Sequence, residues 1–235
     1  MSLVNVLLIF AKYPDPGKVK TRMQPQVSAQ DAAELYRAMV EDLYVSLARS
    51  DNFDTIVCFT PESKRNAFKN WLGSGVSLKN QCEGNLGDKL GTAFKSCFND
   101  GYKKVIAIGG DCVTVTAEEV SRAFGHLDTN DAVIGPTEDG GYYLIGTSAM
   151  IPGLFNTIAW STERVFTQTI QILKSLSLRH TVLENKFDID TVRDAEKLFQ
   201  KIGGSNESDS KQTPAILYNI LSGIRENNAV RNGKH

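Results

Sequence analysis

Four cations crowd the segment FAKYPDPGKVKTRM, where Lys12, Lys18, Lys20 and Arg22 fall within eleven consecutive positions. The chain as a whole is near neutrality, with 26 Lys and Arg against 27 Asp and Glu and a formal net charge of -1. Ammonium and guanidinium groups set this closely, in a loop shaped by Pro14, Pro16 and Gly17, suit an anion with several oxygens such as a di- or triphosphate. A solvated basic loop is the plainer alternative. The carboxylates are more widely spread. Asp111 follows the apolar run VIAIGG; a lone aspartate there can be a turn former or a cap. A hard cation such as Mg²⁺ takes one or two protein carboxylates with phosphate oxygens and water, so a metal reading asks for a second. Asp188 and Asp190 in FDIDT are the first candidates and Asp139 in EDGG the third. Two residues apart in a strand, Asp188 and Asp190 would project to one face; capping the helix that follows is the simpler role for Asp190.

Two further groups carry chemistry. Glu138-Asp139-Gly140-Gly141 reads as the tip of a β-hairpin between DAVIGP and YYLIG, and its paired glycines permit a close approach of backbone to a ligand. With no histidine in any candidate loop, Asp139 is the general-base candidate for an acceptor hydroxyl. In Trp160-Ser161-Thr162-Glu163, Ser161 or Thr162 is expected to cap a helix, with a polar wall of an acceptor pocket as the functional alternative. The three histidines are His126, His180 and His235. There is no G-x-S-x-G elbow, no P-loop and no G-x-G-x-x-G after the first strand. Hydrolase triads, P-loop ATPases and dinucleotide oxidoreductases are poorly supported.

The elements that must position these residues follow from hydrophobic periodicity. Apolar runs at 4–10, 54–60, 76–82, 105–110, DAVIGP, YYLIG and 181–184 predict strands; the first is continuous, as in a strand buried on both faces. Helices are expected at 28–49, after Thr60-Pro61, and at 86–100, 116–127, 161–178, 191–202 and 214–225. Ser28 with Asp31 and Thr116 with Glu119 are capping-box pairs. Strand–helix alternation implies a mostly parallel sheet with helices on both faces, whose ligands sit beyond the carboxyl ends of the strands. Residues 1–202 are expected to form one α/β domain. The polar stretch 203–213 reads as a linker to a terminal helix.

Composition bounds the rest. A 41% hydrophobic and 23% charged chain of 235 residues is ordinary for a globular protein. Without a basic excess it is not expected to bind nucleic acid, and no apolar stretch is long enough for a membrane span. Cys58, Cys82, Cys97 and Cys112 lie far apart and read as reduced thiols in a cytoplasmic protein.

Six blocks in order, FAKYPDPGKVKTRM, GNLGDKLGTAF, IGGDC, GPTEDGGYYLIG, WSTE and FDIDT, resemble a family of the glycosyltransferase-A (GT-A) superfamily often called radical-SAM/selenodomain-associated transferases. The resemblance spans residues 4 to about 200. More distantly the layout is similar to 2-phospholactate and molybdenum-cofactor guanylyltransferases, with Lys20-Thr21-Arg22 and Asp139-Gly140-Gly141 at matching blocks. This resemblance implies a GT-A-like, Rossmann-like three-layer α/β/α fold with a mixed, mostly parallel sheet. It implies Mg²⁺ or Mn²⁺ on Asp111, with Asp190 and Asp188 as further carboxylates. It implies phosphates on Lys20 and Arg22; Lys12, Gly17 and Lys18 of the same loop, with Gly140 and Gly141 at the hairpin tip, are the further candidates for holding the donor. Where the family pattern has Ser-Asp-Cys-Pro, this chain has Gly110-Asp111-Cys112-Val113. The function implied is glycosyl transfer from a nucleotide sugar to an acceptor. Nucleotidyl transfer from an NTP, or nucleotide binding without chemistry, are the alternatives.

Overall fold

A computed structural model describes the backbone of residues 4–24, 26–201 and 212–232, and side chains as far as residue 224. Most of the expected linker, residues 203–211, lies outside the described residues. The chain divides into two compact units, Met1–Tyr13 with Tyr44–Phe187, and Pro14–Leu43 with Asp188–His235.

The first unit is built on a seven-stranded sheet. Its strands are β1 (Asn5–Lys12), β2 (Asp54–Thr60), β3 (Leu78–Asn80), β4 (Lys104–Gly109), β5 (Ala132–Pro136), β6 (Tyr142–Thr147) and β7 (His180–Val182), in the order β3-β2-β1-β4-β6-β5-β7. All neighbours are parallel except β6, which runs antiparallel to both β4 and β5. The β5–β6 pair is the expected hairpin: a five-residue connection lets the chain double back, whereas a parallel return needs a long crossover. From β1 the chain moves outward to β2 and β3, then returns to the other side of β1 as β4. The crevice between the carboxyl ends of β1 and β4 is therefore a topological switch point, where open α/β sheets bind ligands.

The continuous apolar runs are buried on both sides. Val6, Leu8, Val105, Ala107, Ala132 and Ile134 point to one face and join Leu90, Phe94 and Cys97 of α3 (Leu86–Asn99) and Leu173 of α5 (Val165–Ser175) in one core cluster. The alternating residues Leu7, Ile9, Ile106 and Ile108 are buried equally. Burying such a side chain is worth roughly 1.5–3 kcal/mol, so this sheet is a rigid base for the loops at its edge. The helix α4 (Ala117–His126) starts at the expected Thr116/Glu119 capping box, and α3 at an Asn85/Asp88 box. Pro61 does not open a helix directly; a 3-10 turn, Glu62–Lys64, precedes α2 (Arg65–Leu72).

The second unit holds the basic loop and three helices: α1 (Ala29–Leu47), whose last turn continues into the first unit, α6 (Val192–Lys201) and α7 (Thr213–Asn232). Ser28 caps α1, accepting from the Asp31 N–H at 3.1 Å. The start of α7 is capped at long range. The buried Asp42 carboxylate of α1 accepts from the N–H groups of Gln212 (2.9 Å) and Thr213 (2.8 Å), which satisfies donors the helix cannot satisfy itself. All four cysteines are free thiols, three of them buried. Among the described residues no helix is long and apolar enough to cross a membrane.

Candidate functional site

At the switch point the chain leaves β4 through Gly109-Gly110-Asp111. The Gly110 N–H donates to the Phe10 carbonyl of β1 at 3.0 Å, which extends the ladder one step beyond the end of β4. The half-buried Asp111 carboxylate then folds back over the strand end. A Cβ on Gly109 would lie 2.6 Å from Asp111 Oδ1, so an alanine there would displace the carboxylate from this position. Lys12 ends β1 on the same edge and is exposed.

Because β5 is parallel to β4, the hairpin tip 137–141 also lies at this carboxyl edge. Asp139 Oδ1 accepts from the Thr137 hydroxyl (2.6 Å) and the Gly141 N–H (3.1 Å), which orients the exposed carboxylate. Gly140 adopts φ +85°, and its carbonyl accepts from the Phe166 N–H in the first turn of α5 at 2.9 Å. An open cavity of about 730 Å³ lies beside the tip, lined by Glu138, Asp139, Glu163, Arg164, Gln168 and Gln171. The expectation that Ser161 or Thr162 caps α5 is corrected here. The helix begins at Val165 without a side-chain cap, Ser161 is left-handed, and Thr162 builds the preceding turn by donating to the Ala159 carbonyl.

Sequence reasoning missed Lys186. Its backbone pairs with the end of β5 and the hairpin base, donating to the Pro136 carbonyl and accepting from the Glu138 N–H, both at 3.1 Å. Its half-buried ammonium donates to Glu119 Oε1 (2.9 Å) and the Thr114 carbonyl (3.2 Å), clamping the loop that follows Asp111. A lone lysine after a weak strand gives no sequence signal for this. Burial works to raise the Glu119 pKa, but hydrogen bonds from Lys186 and the Thr116 N–H, with the charges of Lys186 and Arg122, outweigh it and set it below the ordinary value of 4.5. A depressed carboxylate stabilises the fold above its unfolded pKa, and that contribution is lost as pH falls through the folded value. Glu119→Gln should therefore melt below wild type at pH 7, with the gap closing as pH drops under about 4. A gap that stays constant from pH 7 downward would remove the ion pair as its cause.

The second unit gathers the basic loop around one carboxylate. Gly17 (φ +74°) turns the chain, with the Lys18 N–H donating to the Asp15 carbonyl at 3.0 Å; Lys18 is exposed. Lys20 Nζ donates to Asp190 Oδ1 at 3.0 Å and Arg22 Nη1 to Asp190 Oδ2 at 3.1 Å. The capping role considered for Asp190 belongs instead to Thr191, whose hydroxyl accepts from the Asp194 N–H at 3.3 Å while Asp194 accepts from the Thr191 N–H at 2.8 Å. FDIDT is also not a strand, so the same-face argument for Asp188 and Asp190 lapses; both are half-buried, with Ile189 buried between them. Among the described residues no group of three or more His, Cys, Asp or Glu is placed to hold a metal ion.

Sheet order, the single reversed strand and the loops at the β1/β4 edge define the mixed α/β fold of nucleotide-diphospho-sugar transferases. A crystal structure from Desulfovibrio desulfuricans G20, of a protein provisionally described as a nucleotide-diphospho-sugar transferase, matches with a TM-score of 0.90 and 35% identity, covering 96% of this chain and 98% of that one. The chain belongs to the family described as an uncharacterized protein conserved in bacteria (DUF2064), which matches residues 43–162. The same fold at lower similarity is found in 4-diphosphocytidyl-2C-methyl-D-erythritol synthase of Anaerococcus prevotii (TM-score 0.57, 12% identity, 86% and 98% covered). It is also found in a cytidylyltransferase of Leptospira borgpetersenii (TM-score 0.55, 16% identity, 97% and 96% covered). No curated protein matches the sequence significantly.

Proposed function

We propose that this protein is a transferase drawing on a nucleotide-activated donor, with Mg²⁺ or Mn²⁺ at Asp111, and that it moves a sugar from a nucleoside diphosphate to an acceptor. The observation that carries the reading is the Asp111 carboxylate folded over Gly109 at the β1/β4 switch point. The 35%-identical relative, described as a nucleotide-diphospho-sugar transferase, supports the sugar. The resemblance to radical-SAM/selenodomain-associated transferases belongs to the same reading.

Asp111 offers a hard oxygen at a strand end, which suits a cation that takes few protein ligands and several phosphate oxygens. Asp190 has both oxygens bonded to cations, and a metal there would draw on the remaining lone pairs of the roughly four a carboxylate offers. Bound at Asp111, the metal would neutralise charge gathering on the departing diphosphate. Lys12, on the same strand edge, offsets the same charge electrostatically, and Lys18, Lys20 and Arg22 in the second unit form a basic loop suited to phosphate oxygens. Asp139, oriented by Thr137 and Gly141, takes the acceptor hydroxyl's proton, and the polar cavity beside it holds the acceptor.

A second reading, nucleotidyl transfer from an NTP, is favoured by four cations within eleven positions, more than a diphosphate alone requires. A thermal-shift panel of nucleotide sugars and matching triphosphates, each with Mg²⁺, Mn²⁺ or EDTA, separates the two. A ligand at a hundred times its dissociation constant adds about 2.7 kcal/mol. The expected result is metal-dependent stabilisation by a nucleotide sugar above its triphosphate. The reverse order would shift the assignment to nucleotidyl transfer. Binding without product from any donor would leave a regulatory protein, and no shift at all would discard the nucleotide site.

A further inference from the structure

Two of the four loop cations that the phosphate reading relies on are already bound to an anion of the chain itself. Asp190 divides its oxygens between them, Oδ1 to Lys20 and Oδ2 to Arg22. We propose that Asp190 is a resident counter-anion standing where two oxygens of a diphosphate bind, so that a polyphosphate engages Lys20 and Arg22 only by displacing it. The inference rests on the phosphate-binding reading of the basic loop.

Burial supplies the first argument. The Lys20 side chain is 3% exposed, Asp190 38% and Arg22 73%. An ammonium withdrawn from water this far needs an anion beside it, and Asp190 supplies one. As the more exposed partner of the Lys20 pair, it is also the group an incoming anion can replace. Local geometry supplies the second. Helix α6 is capped by Thr191 and Asp194, and the Asp190 N–H itself donates to Asp194 at 3.3 Å. The Asp190 backbone is thus anchored while its side chain is left out of the cap and free to exchange partners. The third is the conformation of Lys20, whose φ of +47° is unusual for a residue with a Cβ. Such backbone conformations persist where the surroundings fix them and often mark sites of function.

With Asp190 in place the three side chains carry one net positive charge; a neutral residue there leaves two. The ligand class follows from the pattern: an anion with two charged oxygens spaced to meet an ammonium and a guanidinium together, which is a diphosphate or pyrophosphate unit. Asp190 then tunes affinity downward, opposing retention of a diphosphate product after transfer.

Isothermal titration of sodium pyrophosphate, in EDTA at fixed ionic strength, tests this with wild type, Asp190→Asn and the double variant Asp190→Asn with Lys20→Met. Removing a competing charge within hydrogen-bond distance should tighten pyrophosphate binding about tenfold in Asp190→Asn. The added Lys20→Met should abolish the gain. Equal or weaker binding by Asp190→Asn, no binding by either protein, or a gain that survives Lys20→Met would each overturn the proposal. Circular dichroism reports whether the variants fold, and Asp190→Ser repeats the test should the asparagine variant not. The nucleotide panel can succeed while Asp190→Asn gains nothing; that combination removes the counter-anion and leaves the transferase reading standing.

Discussion

Asp111→Asn is expected to lower turnover, with the donor the panel identifies, by about a hundredfold to a thousandfold while the protein melts close to wild type. The substitution keeps the shape of the side chain and removes its charge, so it tests the hard anionic oxygen and little else. Donor affinity measured with Mg²⁺ should fall, and affinity in EDTA should not, because an amide is a poor ligand for a hard cation. Gly109→Ala should reproduce part of the defect from a distance. Its new Cβ would meet Asp111 Oδ1 at 2.6 Å and push the carboxylate away from the strand end without altering its chemistry. Steady-state kinetics beside a melting curve decide the matter. Turnover of Asp111→Asn within about threefold of wild type would mean that the charge is not used in the transition state.

The largest expected loss of stability comes from Gly140→Ala. A Cβ at this position would lie 2.1 Å from the Glu163 carbonyl oxygen and under 3 Å from two more backbone atoms of the same residue. No rotamer change relieves a clash with backbone, so the hairpin tip and the start of α5 must part. The bond from the Phe166 N–H to the Gly140 carbonyl is then strained as well. The left-handed backbone adds about 1–2 kcal/mol for any residue with a Cβ, and forced repacking about 1–3 kcal/mol. For a chain of this size each kcal/mol lowers the melting temperature by roughly 2–4 °C, so a fall on the order of 10 °C is expected. Gly17→Ala is the control: its φ is +74° but its Cβ would meet nothing within 4 Å, so only the backbone contribution should appear. Equal losses in the two variants would show that the contact with Glu163 relaxes at no cost.

What was legible in the sequence was what neighbours in the chain decide. Helix starts at Ser28 and Thr116 were readable because a cap and its partner sit three residues apart. The buried strands announced themselves as apolar runs, and the hairpin as two such runs around Glu138-Asp139-Gly140-Gly141. Asp111 could be assigned to a strand end for the same reason. Where local signals competed, they misled. Ser161 and Thr162 have the right chemistry for a cap, yet the turn they build leaves α5 to start at Val165, against the Gly140 carbonyl. Asp190 has the right chemistry too, but Thr191 and Asp194 take the cap from it.

Only the tertiary structure decided who meets whom. Lys20 and Asp190 are 170 residues apart in the chain, as are Asp42 and Gln212, and Lys186 is 67 from Glu119. Charge and hydrogen-bond partners of this kind leave no periodicity, because a polar side chain takes its partner from whichever loop the sheet order delivers. The sheet order itself, with β4 returning beside β1 and β6 reversed, follows from the connections and the packing of whole faces and from no single segment. The sequence determined which charged groups this protein carries; the fold determined that Lys20 and Arg22 share Asp190, and that Asp111 stands at the β1/β4 switch point.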